Sequence, residues 1–209
     1  MELSEIYEFV IDGDARQVQA GVKEALEQGV AAEVILNQAL IGAMNEVGRR
    51  FEEGEFFVPE MLVAARAMQA GLALLKPQLV ESGVKAAGKV AIGTVKGDLH
   101  DIGKNLVAMM LEGAGFEVRD LGVDVTPETF IKAAQDGADV IGMSALLTTT
   151  MNNMQSTLQA LQAAGLREQV KVIIGGAPVT GEFAHKIGAD AYAPDASSAV
   201  RIVNQLLSA

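Results

Sequence analysis

Residues 89–105, KVAIGTVKGDLHDIGKN, join a short apolar run to a glycine-containing loop and the start of a helical pattern. The apolar run, Lys89–Thr94, has the length and composition of a buried strand. Four similar runs follow, and helical segments separate them. This alternation predicts an α/β fold, a Rossmann-like (flavodoxin-like), doubly wound sheet of five parallel strands with helices on both faces. The other predicted strands are Glu117–Leu121, Val140–Met143, Val172–Ile174 and Ala189–Ala193.

The helices of this half are predicted at about 101–114, from Thr126 onward, and over about 150–164, 180–187 and 196–207. Thr126–Pro127 is typical of a helix start, because threonine suits the N-cap and proline the first helical position. In sheets of this kind, ligands bind at the C-terminal ends of the strands, where the strand order reverses. We therefore expect the functional residues in the loops that follow the strands.

Residues 1–85 carry no strand signals and have a helical pattern throughout. Apolar residues recur at helical spacing, and Gly29 and Gly54 are placed to end helices. Pro77, near the end of the last helix, predicts a kink or a stop. The four helices are predicted over about 4–10, 14–28, 31–53 and 58–79. The sequence thus predicts an N-terminal four-helix bundle.

The change from a helical to an alternating pattern predicts two domains, 1–85 and 86–209. Residues 80–88, VESGVKAAG, have the composition of a linker between them. A change in the relative position of the two domains at this linker is expected.

Composition excludes several classes of function. The chain has no cysteine, so disulfides, thiolate metal sites and cysteine nucleophiles are excluded. Its net charge is −11 and it has no Lys/Arg cluster, which argues against nucleic acid or an anionic membrane as a partner. The start, MELSEIYEFV, is acidic where a secretory signal would be basic, and no apolar run approaches the length of a membrane span. We expect a soluble, cytoplasmic protein.

The loop after the first strand, residues 97–105, allows three interpretations. Backbone N–H groups before a helix could bind phosphate, but five residues separate Gly97 from Gly103 where a P-loop has four, and Asn105 replaces the Ser/Thr. In the second interpretation, His100 is an ordinary loop histidine and the flanking aspartates are helix caps.

In the third interpretation, His100 is a metal ligand. Residues two apart in an extended loop point the same way, so Asp98 can accept the hydrogen of one ring nitrogen while the other nitrogen faces the metal. One histidine without cysteines makes a poor protein-only site. It is sufficient if a macrocycle such as a haem or a corrin supplies the remaining ligands.

Three motifs on three strand ends decide between these interpretations. Asp98–x–His100–x–x–Gly103, then Ser144–x–Leu146, then Gly175–Gly176 resemble the corrinoid-binding motif DxHxxG…SxL…GG. The spacing agrees, with 40 residues between Gly103 and Ser144 and 28 between Leu146 and Gly175. The helical half resembles the cap domain of cobalamin-dependent methionine synthase and of the small corrinoid proteins of methanol, methylamine and methoxyarene methyltransferase systems.

The resemblance implies a role for each motif residue. His100 would replace the cofactor's own benzimidazole base below the cobalt and would be the metal ligand. Asp98 would bond to His100, and Thr150, where the synthase has serine, would extend this relay. The other implied cofactor contacts in this half are Gly97, Leu99, Asp101, Gly103, Ser144, Leu146, Thr148, Gly175, Gly176 and Ala196.

In the helical half, the resemblance implies three further contacts. Phe51 and Val58 would cover the upper face of the cobalt, where the synthase has phenylalanine and leucine. The valine departs from the pattern and implies a looser cap. Asn37 matches a polar cofactor contact, although the synthase has glutamate there.

The resemblance implies a methyl carrier that is not an enzyme on its own. Its cofactor would be cobalamin or a related corrinoid. Its partners would be a substrate-specific methyltransferase, a second methyltransferase that uses tetrahydrofolate or a thiol, and a reductive activator. Alternatives are the cobalamin subunit of an adenosylcobalamin-dependent isomerase, a cobalamin sensor, or a nucleotide-binding flavodoxin-like module.

Overall fold

A computed structural model describes residues 2–82 and 86–208, and its chain divides into two compact units. The first unit is Met1–Ala86 together with Glu112–Gly115, and the second is Ala87–Leu111 together with Phe116–Ala209. Part of the predicted linker, residues 83–85, lies outside the described residues.

The first unit is helical, as its apolar spacing predicts. Its elements are α1 (Leu3–Ile11), α2 (Ala15–Glu27), α3 (Ala32–Val34), a π-helical segment (Ile35–Ile41), α4 (Gly42–Glu52) and α5 (Val58–Glu81). Gly29 and Gly54 follow the ends of α2 and α4 with positive φ angles, as helix-ending glycines do. Pro77 does not stop α5, which continues to Glu81, so the prediction of a stop there is wrong. The sequence analysis did not predict the π-helical segment.

Helix α5 is the longest element of the chain's described part, and it packs against α2. Val58–Leu79 is long and apolar enough to cross a membrane by length and composition alone, a property that core helices of soluble proteins share. The helix itself was predicted, but the statement that no apolar run approaches the length of a membrane span is wrong. Its buried residues belong to the core of the helical unit, and they are Met61, Ala64, Ala65, Ala67, Met68, Leu75 and Leu79.

The second unit contains the parallel sheet that the sequence predicts. Its strands are β1 (Lys89–Thr94), β2 (Glu117–Asp120), β3 (Val140–Ser144), β4 (Lys171–Gly175) and β5 (Ala191–Ala193). All pair in parallel, in the order β2-β1-β3-β4-β5. The connecting helices are α6 (Ile102–Gly113), α7 (Pro127–Gln135), α8 (Asn152–Ala163), α9 (Gly181–Ile187) and α10 (Ala196–Ser208). The predicted fold class is confirmed.

Residue Thr126 precedes α7 in an extended conformation, but its side chain makes no capping hydrogen bond to the helix backbone. Its hydroxyl lies 3.4 Å from that of Thr129 instead. Thr126 is the N-cap residue and Pro127 begins the helix, so both positions were predicted correctly, although the threonine hydroxyl does not cap the backbone.

The strand order reverses between β1 and β3, and this reversal places the loops after them side by side. The chain goes from β1 to β2 on one side and returns to β3 on the other. The pairing register aligns the C-terminal ends of β1, β3, β4 and β5. Thr94 pairs with Ser144, Ser144 with Gly175, and Gly175 with Ala193. Residues far apart in sequence therefore meet at one edge of the sheet.

The glycine pair at the end of β4, Gly175–Gly176, is required by the protein's own backbone. Gly176 has φ +125°, and a Cβ there would lie 1.9 Å from the carbonyl oxygen of Ala145. A Cβ on Gly175 would lie 2.8 Å from the carbonyl oxygen of Ala193. The end of β4 thus lies too close to the loop after β3 and to the end of β5 for a side chain, whether or not a ligand is bound.

We expect Gly176→Ala to lower the free energy of unfolding by at least about 3 kcal/mol, because it combines a disfavoured φ with a backbone clash. The matched control is Gly137→Ala, which has φ +93° but no atom within 4 Å of the added Cβ. The control should cost only about 1–2 kcal/mol. Urea denaturation measures the free energy of unfolding of both variants. Equal losses would show that the backbone contact with Ala145 adds nothing to the cost of the positive φ.

Candidate functional site

The loop after β1 is folded back on itself by hydrogen bonds. Gly97 has φ +82°, and the backbone N–H of Asp98 donates to the carbonyl of Val95 at 3.1 Å. The hydroxyl of Thr94, buried at the end of β1, donates to the carbonyl of His100 at 2.8 Å. These bonds fix the backbone on both sides of Asp98 before any ligand is considered.

Asp98 is the centre of the site. Its carboxylate is fully buried. It accepts hydrogen bonds from its own loop and from the loop after β3. From its own loop, the backbone N–H and ring Nδ1 of His100 lie 3.1 and 2.7 Å from Oδ1. From the loop after β3, the Thr150 hydroxyl and the N–H groups of Leu146 and Leu147 lie 2.7, 2.8 and 3.3 Å from Oδ2.

These donors keep Asp98 ionised. Burial raises the pKa of its carboxyl, but the hydrogen bonds from Thr150, His100 and the backbone of Leu146 outweigh burial and hold the pKa well below its usual range. An ionised carboxylate can only accept, so His100 Nδ1 carries the hydrogen. This leaves Nε2 as the ring nitrogen with a lone pair.

The His100 side chain is buried at one end and open at the other. It is 51% exposed, although its Nδ1 partner is fully buried. The hydroxyl of Thr150 also lies 2.8 Å from the Leu147 carbonyl, so the loop after β3 holds the far side of Asp98. The arrangement fixes the imidazole from behind and presents Nε2 outward, as metal-binding histidines require.

Large apolar side chains are exposed in the same loops. Leu99 and Ile102 are 71% and 82% exposed, and Leu146 and Leu147 are about half exposed. Exposed apolar residues concentrated in one region mark a binding surface more often than a solvent-facing one.

The other predicted contacts of this unit lie in the loops at the C-terminal ends of β1, β3, β4 and β5 or beside them. Ser144 is half-buried at the end of β3, Thr148 is exposed in the turn after it, and Ala196 is buried at the start of α10. Asp101 is exposed and accepts a hydrogen bond from the Asn105 side chain at 3.1 Å. Gly103, in the first turn of α6, has no atom within 4 Å of an added Cβ.

The predicted contacts of the helical unit lie on its surface or near it. Asn37 is exposed in the π-helical segment, Phe51 is half-buried near the end of α4, and Val58 is 41% exposed at the start of α5. Their roles stay predictions.

Sequence analysis missed several residues that support the site. The buried Thr94 holds His100, and the side chain of Asp124 accepts from the N–H of Gly97 at 2.7 Å. The ammonium of Lys104, almost fully buried, pairs with Asp120 at 2.6 Å. Thr94 could have been found, because it is the last residue of the strand before the motif. The Asp124–Gly97 and Lys104–Asp120 contacts link segments whose proximity the sequence did not show.

The donor set suits an axial ligand and not a protein-only metal centre. Within residues 2–82 and 86–208, no group of three or more His, Asp or Glu residues could hold a metal ion. A single outward imidazole nitrogen, fixed by a carboxylate, can supply one position to a metal whose other ligands come from a macrocycle.

Comparison with known proteins identifies this macrocycle. Residues 88–203 match one family model described as a B12 binding domain, and residues 2–76 match a second with the same description. The chain belongs to the B12-binding corrinoid proteins. It is 46% identical over 209 residues to the dimethylamine corrinoid protein of Methanosarcina barkeri, covering 99% of this chain and 97% of that protein.

Solved structures agree with this assignment. A cobalamin-binding protein from Desulfitobacterium hafniense DCB-2 superposes with a TM-score of 0.81 and 34% identity, covering 98% of each chain. A chain of the methanol:cobalamin methyltransferase complex MtaBC from Methanosarcina barkeri superposes with a TM-score of 0.87 and 30% identity, covering 97% of this chain and 78% of that one. The predicted cofactor, cobalamin or a related corrinoid, is confirmed. The chain is a corrinoid protein of a methyltransferase system rather than an enzyme on its own.

We expect Asp98→Asn to lower the free energy of unfolding of the apoprotein by about 2 kcal/mol near neutral pH, because it weakens charge-assisted hydrogen bonds. The folded pKa of Asp98 is below its unfolded value, so this stabilisation is present above the unfolded pKa and is lost as pH falls through the folded pKa. The difference between wild type and variant should therefore shrink as pH falls from about 5 towards 2.

Urea denaturation at several pH values tests this expectation. Asp101→Asn is the control, because that carboxylate is exposed in the same loop. A difference for Asp98→Asn that stayed constant from neutral to acid pH would contradict the role assigned to its ionisation.

Proposed function

We propose that this protein carries a methyl group on corrinoid cobalt between two methyltransferases, with His100 as the lower axial ligand in place of the cofactor's own base. The observation that carries the proposal is the pairing of His100 Nδ1 with the buried carboxylate of Asp98 at 2.7 Å, which directs Nε2 away from the protein interior. When bound, the corrinoid would supply the cobalt that accepts and releases the methyl group.

The protein's own residues would control the lone pair of His100. Asp98 fixes the tautomer with hydrogen on Nδ1 and stabilises positive charge on the ring. When His100 is not a ligand, its Nε2 can hold a proton, and Asp98 and Thr150 are placed to share the resulting charge. Proton uptake at Nε2 and ligation by Nε2 compete, so the relay would tune the strength of ligation.

A second group of residues would hold the displaced nucleotide tail of the cofactor. A tail buried beside a sheet needs positions without side chains and hydroxyl partners for its polar atoms. Gly103 offers free space in the first turn of α6, and Ser144 ends the strand next to β1. The remaining residues assigned to cofactor contacts are Gly97, Leu99, Asp101, Leu146, Thr148, Gly175, Gly176 and Ala196.

We also propose the division of labour implied by the resemblance. Residues 1–85 would act as a cap domain, with Phe51, Val58 and Asn37 facing the upper side of the cofactor, and residues 86–209 would act as the corrinoid-binding domain. The cap would have to move when a methyltransferase approaches, because the same face of the cofactor cannot be covered and reacting at once.

The partners follow from a carrier's role. One methyltransferase would load the methyl group, a second would transfer it to tetrahydrofolate or a thiol, and a reductive activator would restore oxidised cofactor. The similarity to the dimethylamine corrinoid protein supports a methylated amine as the methyl source. A cytoplasmic location without membrane or nucleic-acid partners is consistent with the net charge of −11.

Two alternatives share the same histidine. An adenosylcobalamin-dependent isomerase subunit and a cobalamin sensor would both bind the cofactor in this way. The similarity to dimethylamine corrinoid proteins and to a chain of a methanol:cobalamin methyltransferase complex supports the carrier.

The chain contains two histidines, which provide a matched test. Purified wild type and His185→Ala should bind hydroxocobalamin in a 1:1 ratio with equal affinity, because His185 is exposed in α9. His100→Ala should bind it at least about tenfold more weakly. Equilibrium dialysis measures the dissociation constants, and a His100→Ala value equal to that of wild type would contradict the ligand assignment.

Gly103→Ala distinguishes an effect on cofactor binding from an effect on protein stability. The added Cβ meets nothing within 4 Å, and alanine is the better helix former, so the apoprotein should be unchanged or up to about 1 kcal/mol more stable. Affinity for hydroxocobalamin should nevertheless fall by roughly tenfold, because the methyl group would occupy the path of the tail. Unchanged affinity would show that the tail does not pass this position.

A further inference from the structure

Asp124 has an unusual backbone conformation in the second unit. It has φ +53°, and it is the only non-glycine residue with a positive φ in the part of the chain that the structure describes. Aspartate tolerates the left-handed region better than most residues, but that region still disfavours any side chain with a Cβ. A conformation of this kind persists where surrounding contacts require it, and it is a reason to look for function.

Hydrogen bonds on both sides of Asp124 hold it in this conformation. Val125 donates its backbone N–H to the carbonyl of Thr94 at 2.9 Å, and Gly122 accepts from the N–H of Thr94 at 3.0 Å. A bridge between Val95 and Val125 extends the pairing beyond the end of β1. The segment after β2 is thereby attached to the end of β1, directly before the loop that contains His100.

Asp124 itself makes two hydrogen bonds, and both are with the dipeptide Gly97–Asp98. Its carboxylate accepts from the backbone N–H of Gly97 at 2.7 Å. Its own backbone N–H donates to the carbonyl of Asp98 at 3.0 Å. One residue therefore holds the first and the last backbone polar group of this dipeptide, in which Gly97 has φ +82°.

We infer that Asp124 is a positioning residue for the axial ligand: by holding Gly97–Asp98 it fixes the direction from which the Asp98 carboxylate meets His100. The inference rests on the function proposed above, because it concerns the residue pair that would present Nε2 to cobalt. Asp98 bonds to donors on two loops, so a small rotation of its backbone would misalign several hydrogen bonds at once.

Three variants separate the possible causes of an effect. Asp124→Asn keeps an acceptor and the tolerance of the left-handed region. Asp124→Gly removes the acceptor but makes the left-handed conformation easier than in wild type. Asp136→Ala is the matched control, because it removes a carboxylate after the other end of α7, where its partners are Arg119 and Lys132.

The probe is cob(II)alamin carrying nitrogen-15 in its benzimidazole, added to each purified full-length protein. Its dissociation constant, and the electron paramagnetic resonance coupling from an unlabelled axial nitrogen, report on ligation by the protein. We expect Asp124→Gly to raise the dissociation constant by roughly tenfold and to weaken the unlabelled coupling. Asp124→Asn and Asp136→Ala should stay within about threefold of wild type and keep the coupling.

Any of three outcomes would overturn the inference. Asp124→Gly could bind and couple like wild type, or Asp124→Asn could lose as much as Asp124→Gly. Urea denaturation of each apoprotein accompanies the titrations, and a loss of binding matched by a lower midpoint would assign Asp124 to folding instead. If wild type itself kept the labelled nitrogen on cobalt, the proposed function would fail, and that result is distinct from any of these.

Discussion

The site depends on one buried negative charge. Asp98 is fully buried in the loop after β1, where an unpaired carboxylate would be strongly disfavoured, and it is held ionised by donors from two loops. Because the ionised group only accepts, it determines which nitrogen of His100 carries the hydrogen and which is free. The half-exposed imidazole therefore has one free nitrogen, which can supply a single ligand to a metal.

Sheet topology makes this constraint possible. Asp98 and Thr150 are 52 residues apart, yet the reversal of strand order between β1 and β3 places their loops next to each other. The glycine pair at the end of β4 has no space for a Cβ, because the backbone after β3 lies so close to it. The segments after β1, β3 and β4 are therefore neighbours at this edge of the sheet. This edge of the sheet carries the motif residues, which explains why they occur at the ends of three different strands.

Much of this could be predicted from the sequence, because the evidence was local. Apolar runs predicted the five strands to within about two residues at each end. The spacing of Asp98 and His100 allowed a hydrogen bond between them, and the resemblance implied it. The π-helical segment was missed because its apolar residues recur almost as they do in an α-helix. Asp124 was missed because its contact with Gly97 spans 27 residues and depends on a left-handed conformation that the sequence does not specify. The resemblance assigned the glycine pair to the cofactor, and the neighbouring backbone also requires it.

Ligation of cobalt by His100 is the central claim, and the axial nitrogen can be observed directly. Wild type and His100→Ala would each be combined with cob(II)alamin that carries nitrogen-15 in its benzimidazole, and their electron paramagnetic resonance spectra would be recorded. The account predicts coupling to an unlabelled nitrogen in wild type and its loss in His100→Ala. Coupling to the labelled nitrogen in wild type would show that the cofactor keeps its own base and would contradict the account.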